Sequence, residues 1–196
     1  MSISTVLVNW FFRNQLKDTV NELEVLYQTD MLTGLYNRRG FLRELESRIR
    51  AEDARGKTLT LFAMDMDRLK SINDVYGHHE GDYAIQCLAQ AIEQILDGKG
   101  ICARFGGDEF AFARLDEPSF HPAPDEIREH IETVARKICG QKAYLISASI
   151  GACSRPVNGP LSLDQMQAEA DRALYADKRN RSIGERLRKT ANYLES

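Results

Sequence analysis

Cysteine is scarce and scattered. Cys87, Cys102, Cys139 and Cys153 are the four, with no C-x-x-C pair. That speaks against a zinc site and a disulfide framework, and it suits a reducing compartment. Proline is scarce too, with 5 residues beside 13 glycines, which excludes collagen-like and mucin-like chains. An excess of one charge is missing: 26 Lys and Arg face 29 Asp and Glu, for a net charge of -3. No global field therefore draws the chain to a nucleic acid polymer or an anionic membrane. A polyanionic small ligand would need a local cluster of donors or a metal ion. No apolar run reaches the length of a membrane span. The stretch 6–12 is broken by Asn9, yet it ends in Trp10-Phe11-Phe12 before Arg13. An aromatic belt followed by positive charge is how the cytoplasmic end of a span reads. Two readings stand: a helix burying its apolar face on a partner, or the start of a cytoplasmic portion of a membrane-anchored receptor. A cleavable signal-peptide pattern is absent after Met1-Ser2. The expected location is cytoplasmic.

What is there is an ordinary globular composition, 43% apolar and 28% charged over 196 residues. The length fits one domain with a helical appendage. Residues 1–29 read as a helix without Gly or Pro. Leu16, Val20, Leu23 and Tyr27 fall at 4-3-4 spacing, a seam that fits either a coiled-coil linker or one amphipathic helix. Residues 30–40 are a polar turn region. Residues 41–54 are helical, with Phe41, Leu42, Leu45 and Ile49 inward. Residues 58–66 form a dense apolar run, read as a central strand buried on both faces. A short helix and loop (68–79) and a long helix (81–96) follow. Strands 101–105 and 110–115 are joined by Gly106-Gly107-Asp108-Glu109, a hairpin turn. A helix capped by Asp125 (125–139), a strand (143–153), a helix (163–178) and a basic, then mixed end complete the chain. The expected fold class is α/β, an α+β sandwich of two layers in which helices flank one mixed central sheet.

Two acidic spots lie at strand ends, where ligand sites gather: Asp65-Met66-Asp67 and Asp108-Glu109. A carboxylate at the end of a buried strand needs a cation or donors, or its pKa climbs. Acids from two strand ends make an oxygen-rich site for Mg²⁺, with Mn²⁺ as the alternative. Two solvated turns explain the same residues.

The string Arg104-Phe105-Gly106-Gly107-Asp108-Glu109-Phe110 resembles the signature of the GGDEF family, the diguanylate cyclases. Asp30-Met31-Leu32-Thr33-Gly34-Leu35-Tyr36-Asn37-Arg38-Arg39 is similar to the family's D-x-L-T-x-L-x-N-R-R opening. Residues 65–78 resemble its D-x-D-x-F-K-x-x-N-D-x-x-G-H block, with Leu69 in place of Phe, and Gly81-Asp82 continue it. Ser147-Ala148-Ser149-Ile150-Gly151 and Ala170-Asp171-Arg172-Ala173-Leu174-Tyr175 match the late strand and last helix.

The resemblance implies a nucleotidyl cyclase or polymerase-palm-like fold in residues 30–182, with 1–29 as a signalling helix and 183–196 as a tail. It implies condensation of two GTP molecules into cyclic di-GMP with release of two pyrophosphates, in a homodimer whose halves face across a two-fold axis. The metal positions fall on Asp65, Asp108 and the Met66 carbonyl. Asp108 also falls on the acid that assists deprotonation of the attacking hydroxyl, with Glu109 in support. Asn73 and Asp82 fall on guanine recognition, His78 near the nucleotide, and Lys70 and Lys178 on the β- and γ-phosphates. Leu69, Gly106 and Gly107 complete the substrate-binding set. The alternative is a catalytically weak or inactive domain that holds GTP or cyclic di-GMP as a regulatory module, and an upstream sensor or membrane segment is a further partner.

Two departures stand out. The family's R-x-x-D product-inhibition motif is replaced by Asp97-Gly98-Lys99-Gly100, so no feedback is expected there. The A-K-x-x-G-R-N end becomes Asp177-Lys178-Arg179-Asn180-Arg181-Ser182. Lys178 survives, and Arg179 and Arg181 are the candidates for the phosphate arginine.

Overall fold

The computed structural model describes residues 10, 13, 27–118, 123–160 and 162–194, the side chains of residues 52 and 184–194 excepted. Most of the expected leading helix, with Leu16, Val20 and Leu23 of its seam, lies outside the described residues.

β1 (Thr58–Met66) is buried along its whole length. It pairs antiparallel with β3 (Glu109–Asp116) on one side and with β4 (Ala148–Pro156) on the other. β2 (Gly100–Gly106) pairs antiparallel with β3 at the edge, giving the order β2-β3-β1-β4. The four-stranded sheet is thus antiparallel throughout, where a mixed one was expected; among the described residues the parallel pairing is the isolated bridge Tyr36–Ala103, outside the four strands.

The period of two along β1 sorts its side chains onto two faces. Phe62, Met64 and Met66 pack under α3 (His78–Leu96) and α4 (Pro124–Cys139) with Leu88, Ile92 and Ile131. Leu59, Leu61 and Ala63 pack under α1 (Arg38–Arg50) and α5 (Leu163–Leu194) with Phe41, Leu45, Met166 and Ala170. Helices therefore cover both faces, and the domain has three layers where two were expected. A strand with no polar face requires this, since each face needs its own apolar cover. Phe62 and Phe112 lie opposite one another on β1 and β3 and stack at 4.4 Å. Such a pair adds about 0.5–1.5 kcal/mol beyond burial.

Several element ends differ from the sequence expectation. α1 starts at Arg38, because the Asn37 side chain accepts from the backbone N–H of Arg39 and Gly40. α2 (Leu69–Tyr76) stops at Gly77, and α3 begins directly at His78. Asp125 is not the cap of α4. Pro124 opens that helix, and Asp125 pairs with Arg128 at 2.7 Å inside it. β4 begins at Ala148 rather than 143 and takes in Arg155 and Pro156. α5 runs on to Leu194, past the expected end at Lys178. It crosses β4 so closely that a Cβ on Gly151 would overlap the Leu174 N and the Ala170 O. Only glycine allows that approach, and the approach aims the middle of α5 at the end of β1.

Candidate active site

The site forms where β1 leaves the sheet. Asp65, its penultimate residue, is 7% exposed and lies opposite Glu109 in the ladder. One step further the Met66 N–H donates to the Asp108 carbonyl at 2.9 Å. The strand exit and the hairpin tip are thus joined backbone to backbone. The tip turns through Gly106 and Gly107, both at positive φ (141° and 54°), with a register shift between Arg104 and Gly106.

Arg104 braces this tip. Its Nε and Nη2 donate to the Gly107 carbonyl at 3.1 and 2.9 Å, and its Nη1 donates to Asp30 Oδ1 at 3.1 Å. Asp30 in turn accepts from the Thr33 N–H and hydroxyl at 3.0 and 2.7 Å. Burial works against ionisation of Asp30, but the Thr33 and Arg104 bonds outweigh it and hold its pKa below the ordinary value. Sequence reasoning gave neither residue a role. The signal available was that each opens one of the quoted motifs.

The two acids of the Asp65-Met66-Asp67 exit have different surroundings. Asp67 accepts from the Ser147 hydroxyl at 3.0 Å and the Ser149 hydroxyl at 2.8 Å, and pairs with Arg181 at 3.1 Å. It anchors the loop. The Asp65 carboxylate faces Lys178, whose Nζ stands 2.6 Å from Oδ2. Burial raises the Asp65 pKa. Lys178 pulls it back, while the charges of Asp108 and Asp67 push it further up. Arg181 also donates to the Ala148 carbonyl at 2.6 Å, so of the two candidate phosphate arginines this one is committed to the fold. Arg179 is exposed.

A cleft of about 340 Å³ gathers Asp65, Met66, Leu69, Lys70, Asp108 and Lys178. Asn73, His78 and Asp82 do not line it and stand on α2 and α3. The Asn73 side chain lies against Gly81, where a Cβ would overlap Oδ1, with the exposed Asp82 next along the chain. Gly106 and Gly107 form the exposed tip. Glu109 lines a separate cavity of about 340 Å³ beside Arg38, Phe105 and Asp171, and Asp65 and Lys178 border both spaces. Among the described residues no group of three or more His, Cys, Asp and Glu assembles into a metal site. Two carboxylates still suit Mg²⁺, which binds through one or two of them and takes phosphate and water as further ligands.

A sequence model described as "Diguanylate cyclase, GGDEF domain" matches residues 27–182. The chain belongs to the GGDEF family. "Probable diguanylate cyclase DgcJ" of Escherichia coli K12 is 37% identical over 154 residues, covering 79% of this chain and 30% of its own length. "Probable diguanylate cyclase DgcC" of the same strain is 31% identical over 173 residues, covering 88% and 46%. The chain thus spans less than half the length of these curated relatives. Among solved structures, the coiled coil and GGDEF domain of DgcB from Caulobacter crescentus, in complex with c-di-GMP, superposes with a TM-score of 0.71 at 27% identity. That match covers 92% of this chain and 96% of that one. The GGDEF fold is therefore shared by the part of the chain that the family model matches, residues 27–182. Among the described residues no helix is long and apolar enough to cross a membrane.

Proposed function

We propose that this chain is a diguanylate cyclase domain that condenses two GTP molecules into cyclic di-GMP in a two-fold dimer, using Mg²⁺ held by Asp65, Asp108 and the Met66 carbonyl. The observation that carries the reading is the convergence of Asp65, Asp108, Lys70 and Lys178 on one cleft. In the reaction a ribose 3′-oxygen attacks the α-phosphorus of the facing nucleotide, a new phosphodiester bond forms, and pyrophosphate leaves with the broken P–O bond. This happens twice per product. Mg²⁺ supplies charge neutralisation on the phosphates and favours the attacking alkoxide.

The chain's own residues do the rest. Asp108 takes the proton of the 3′-hydroxyl, with Glu109 beside it in support. Lys70 and Lys178 hold the β- and γ-phosphates. Asp82 accepts from the N1 and N2 donors of guanine, and Asn73 both donates and accepts. His78, Leu69, Gly106 and Gly107 border the nucleotide. Adenine lacks that donor pair and would leave Asp82 unmatched, which disfavours it. One domain cradles one nucleotide, so the product requires two domains facing each other. The substrate places the work in the cytoplasm. Feedback through residues 97–100 is not part of the proposal, since that window lacks the arginine fork.

One observation favours the second reading, a binding module without turnover: Arg181 is tied to Asp67 and Ala148 and is not free to grip phosphate. Incubation with GTP and Mg²⁺ separates the two. The cyclase reading requires cyclic di-GMP from the parent chain and none from Asp108→Ala. Nucleotide binding without product selects the module.

A further inference from the structure

The buried carboxylate of Asp65 already has a cation. Lys178 Nζ stands 2.6 Å from Oδ2, with side-chain exposures of 41% for the lysine and 10% for the aspartate. The lysine reaches inward from α5, the helix seated hard against β4 at Gly151. Three residues further on, Arg181 is held by Asp67 and the Ala148 carbonyl. Lys70, the other lysine of the cleft, is exposed on α2. Lys178 is therefore the cation whose ammonium meets the carboxylate that a divalent ion must also use. An ammonium and a divalent ion on one carboxylate repel each other through a partly desolvated space. Lys178 also carries its charge on a four-carbon stem and can swing, which a guanidinium fork held at several points cannot.

We propose that Lys178 is a built-in counter-ion of Asp65 that competes with the divalent metal and is drawn away by the nucleotide polyphosphate. Metal and triphosphate then load cooperatively. This inference rests on the metal-and-nucleotide reading of the cleft given above. A triphosphate arriving alone pulls Lys178 off Asp65 and opens that carboxylate to the ion. A metal arriving alone must first displace the lysine. By linkage, whatever factor the nucleotide adds to metal affinity, the metal adds to nucleotide affinity. The cleft thereby resists loading with metal in the absence of substrate.

The test is Mn²⁺ binding, read from the electron paramagnetic resonance signal of the free ion. It uses the full chain and its Lys178→Met and Lys178→Arg variants, with and without a GTP analogue carrying a methylene between the α- and β-phosphorus. Binding by the analogue alone is subtracted. Without nucleotide, Lys178→Met binds Mn²⁺ about tenfold more tightly than the parent, while Lys178→Arg, which keeps a cation there, stays within about twofold. Adding the analogue tightens Mn²⁺ binding in the parent and does so far less in Lys178→Met. The half-exposed stem makes Met a tolerable replacement, and matching melting curves show that the variants are folded. Mn²⁺ binding by Lys178→Met no tighter than the parent's overturns the proposal, and the ion pair is then only a strut between α5 and β1. Absence of Mn²⁺ binding in every chain, with the analogue present, overturns the metal-and-nucleotide reading itself and the inference with it.

Discussion

Arg104 and Asp30 lie 74 positions apart in sequence, and Nη1 of one stands 3.1 Å from Oδ1 of the other. The pair fastens the opening motif of the domain to the hairpin that carries Asp108. Their side chains are 11% and 21% exposed, so each charge loses a partner in a largely dry place if the other is removed. Arg104→Ala or Asp30→Ala is expected to cost about 1–3 kcal/mol of stability. The double variant should cost less than the sum, by at least about 0.5 kcal/mol. Urea unfolding of the four chains measures this, and simple additivity would show that the two residues act independently.

Much of this arrangement was legible in the sequence because it rests on local patterns. The dense apolar run of β1 announced a strand buried on both faces, and the Gly-Gly pair announced a turn next to acids. The expectation of two layers ignored the first of these cues, since a strand without a polar face needs helices on both sides. Element ends were less legible because they depend on single caps. Asn37 starts α1 through one side-chain oxygen, and Pro124 displaces Asp125 from the cap it was expected to occupy. The division of labour at the β1 exit could not be read at all. Asp65 and Asp67 look alike in sequence and differ only because Ser147, Ser149 and Arg181 arrive from β4, its approach and α5 to hold one of them.

Two glycines should respond to alanine in opposite ways. A Cβ at Gly81 overlaps the movable side-chain oxygen of Asn73, so Gly81→Ala should leave the fold intact and push Asn73 aside. The expected result is a KM for GTP raised by about tenfold with kcat little changed. A Cβ at Gly151 overlaps the backbone of α5 at Leu174 and Ala170, which cannot step aside. Gly151→Ala should lower the melting temperature well before activity can be assigned. Steady-state kinetics with parallel melting curves test both. An unchanged KM in Gly81→Ala would detach Asn73 from guanine recognition.

Asp65 makes stability depend on pH with a definite sign. Burial raises its pKa in the folded state, so the folded chain holds this proton more tightly than the unfolded one. Its contribution is most favourable at low pH and is lost as pH rises through the raised value. Asp65→Asn removes that penalty. The variant should melt above the parent near neutrality. The advantage should vanish on acidification into the ordinary carboxylate range. Melting curves across a pH series check this. An Asp65→Asn chain less stable than the parent at neutral pH would mean that the Lys178 pair outweighs the burial of the charge.

As proposed above, this cleft joins guanine nucleotides. The most direct measurement is incubation of the full chain with GTP and Mg²⁺, with products resolved by chromatography and pyrophosphate counted. The expected result is cyclic di-GMP, two pyrophosphates for each product molecule, and neither from Asp108→Ala. Unconsumed GTP at saturating nucleotide and metal, or equal turnover by Asp108→Ala, would contradict it.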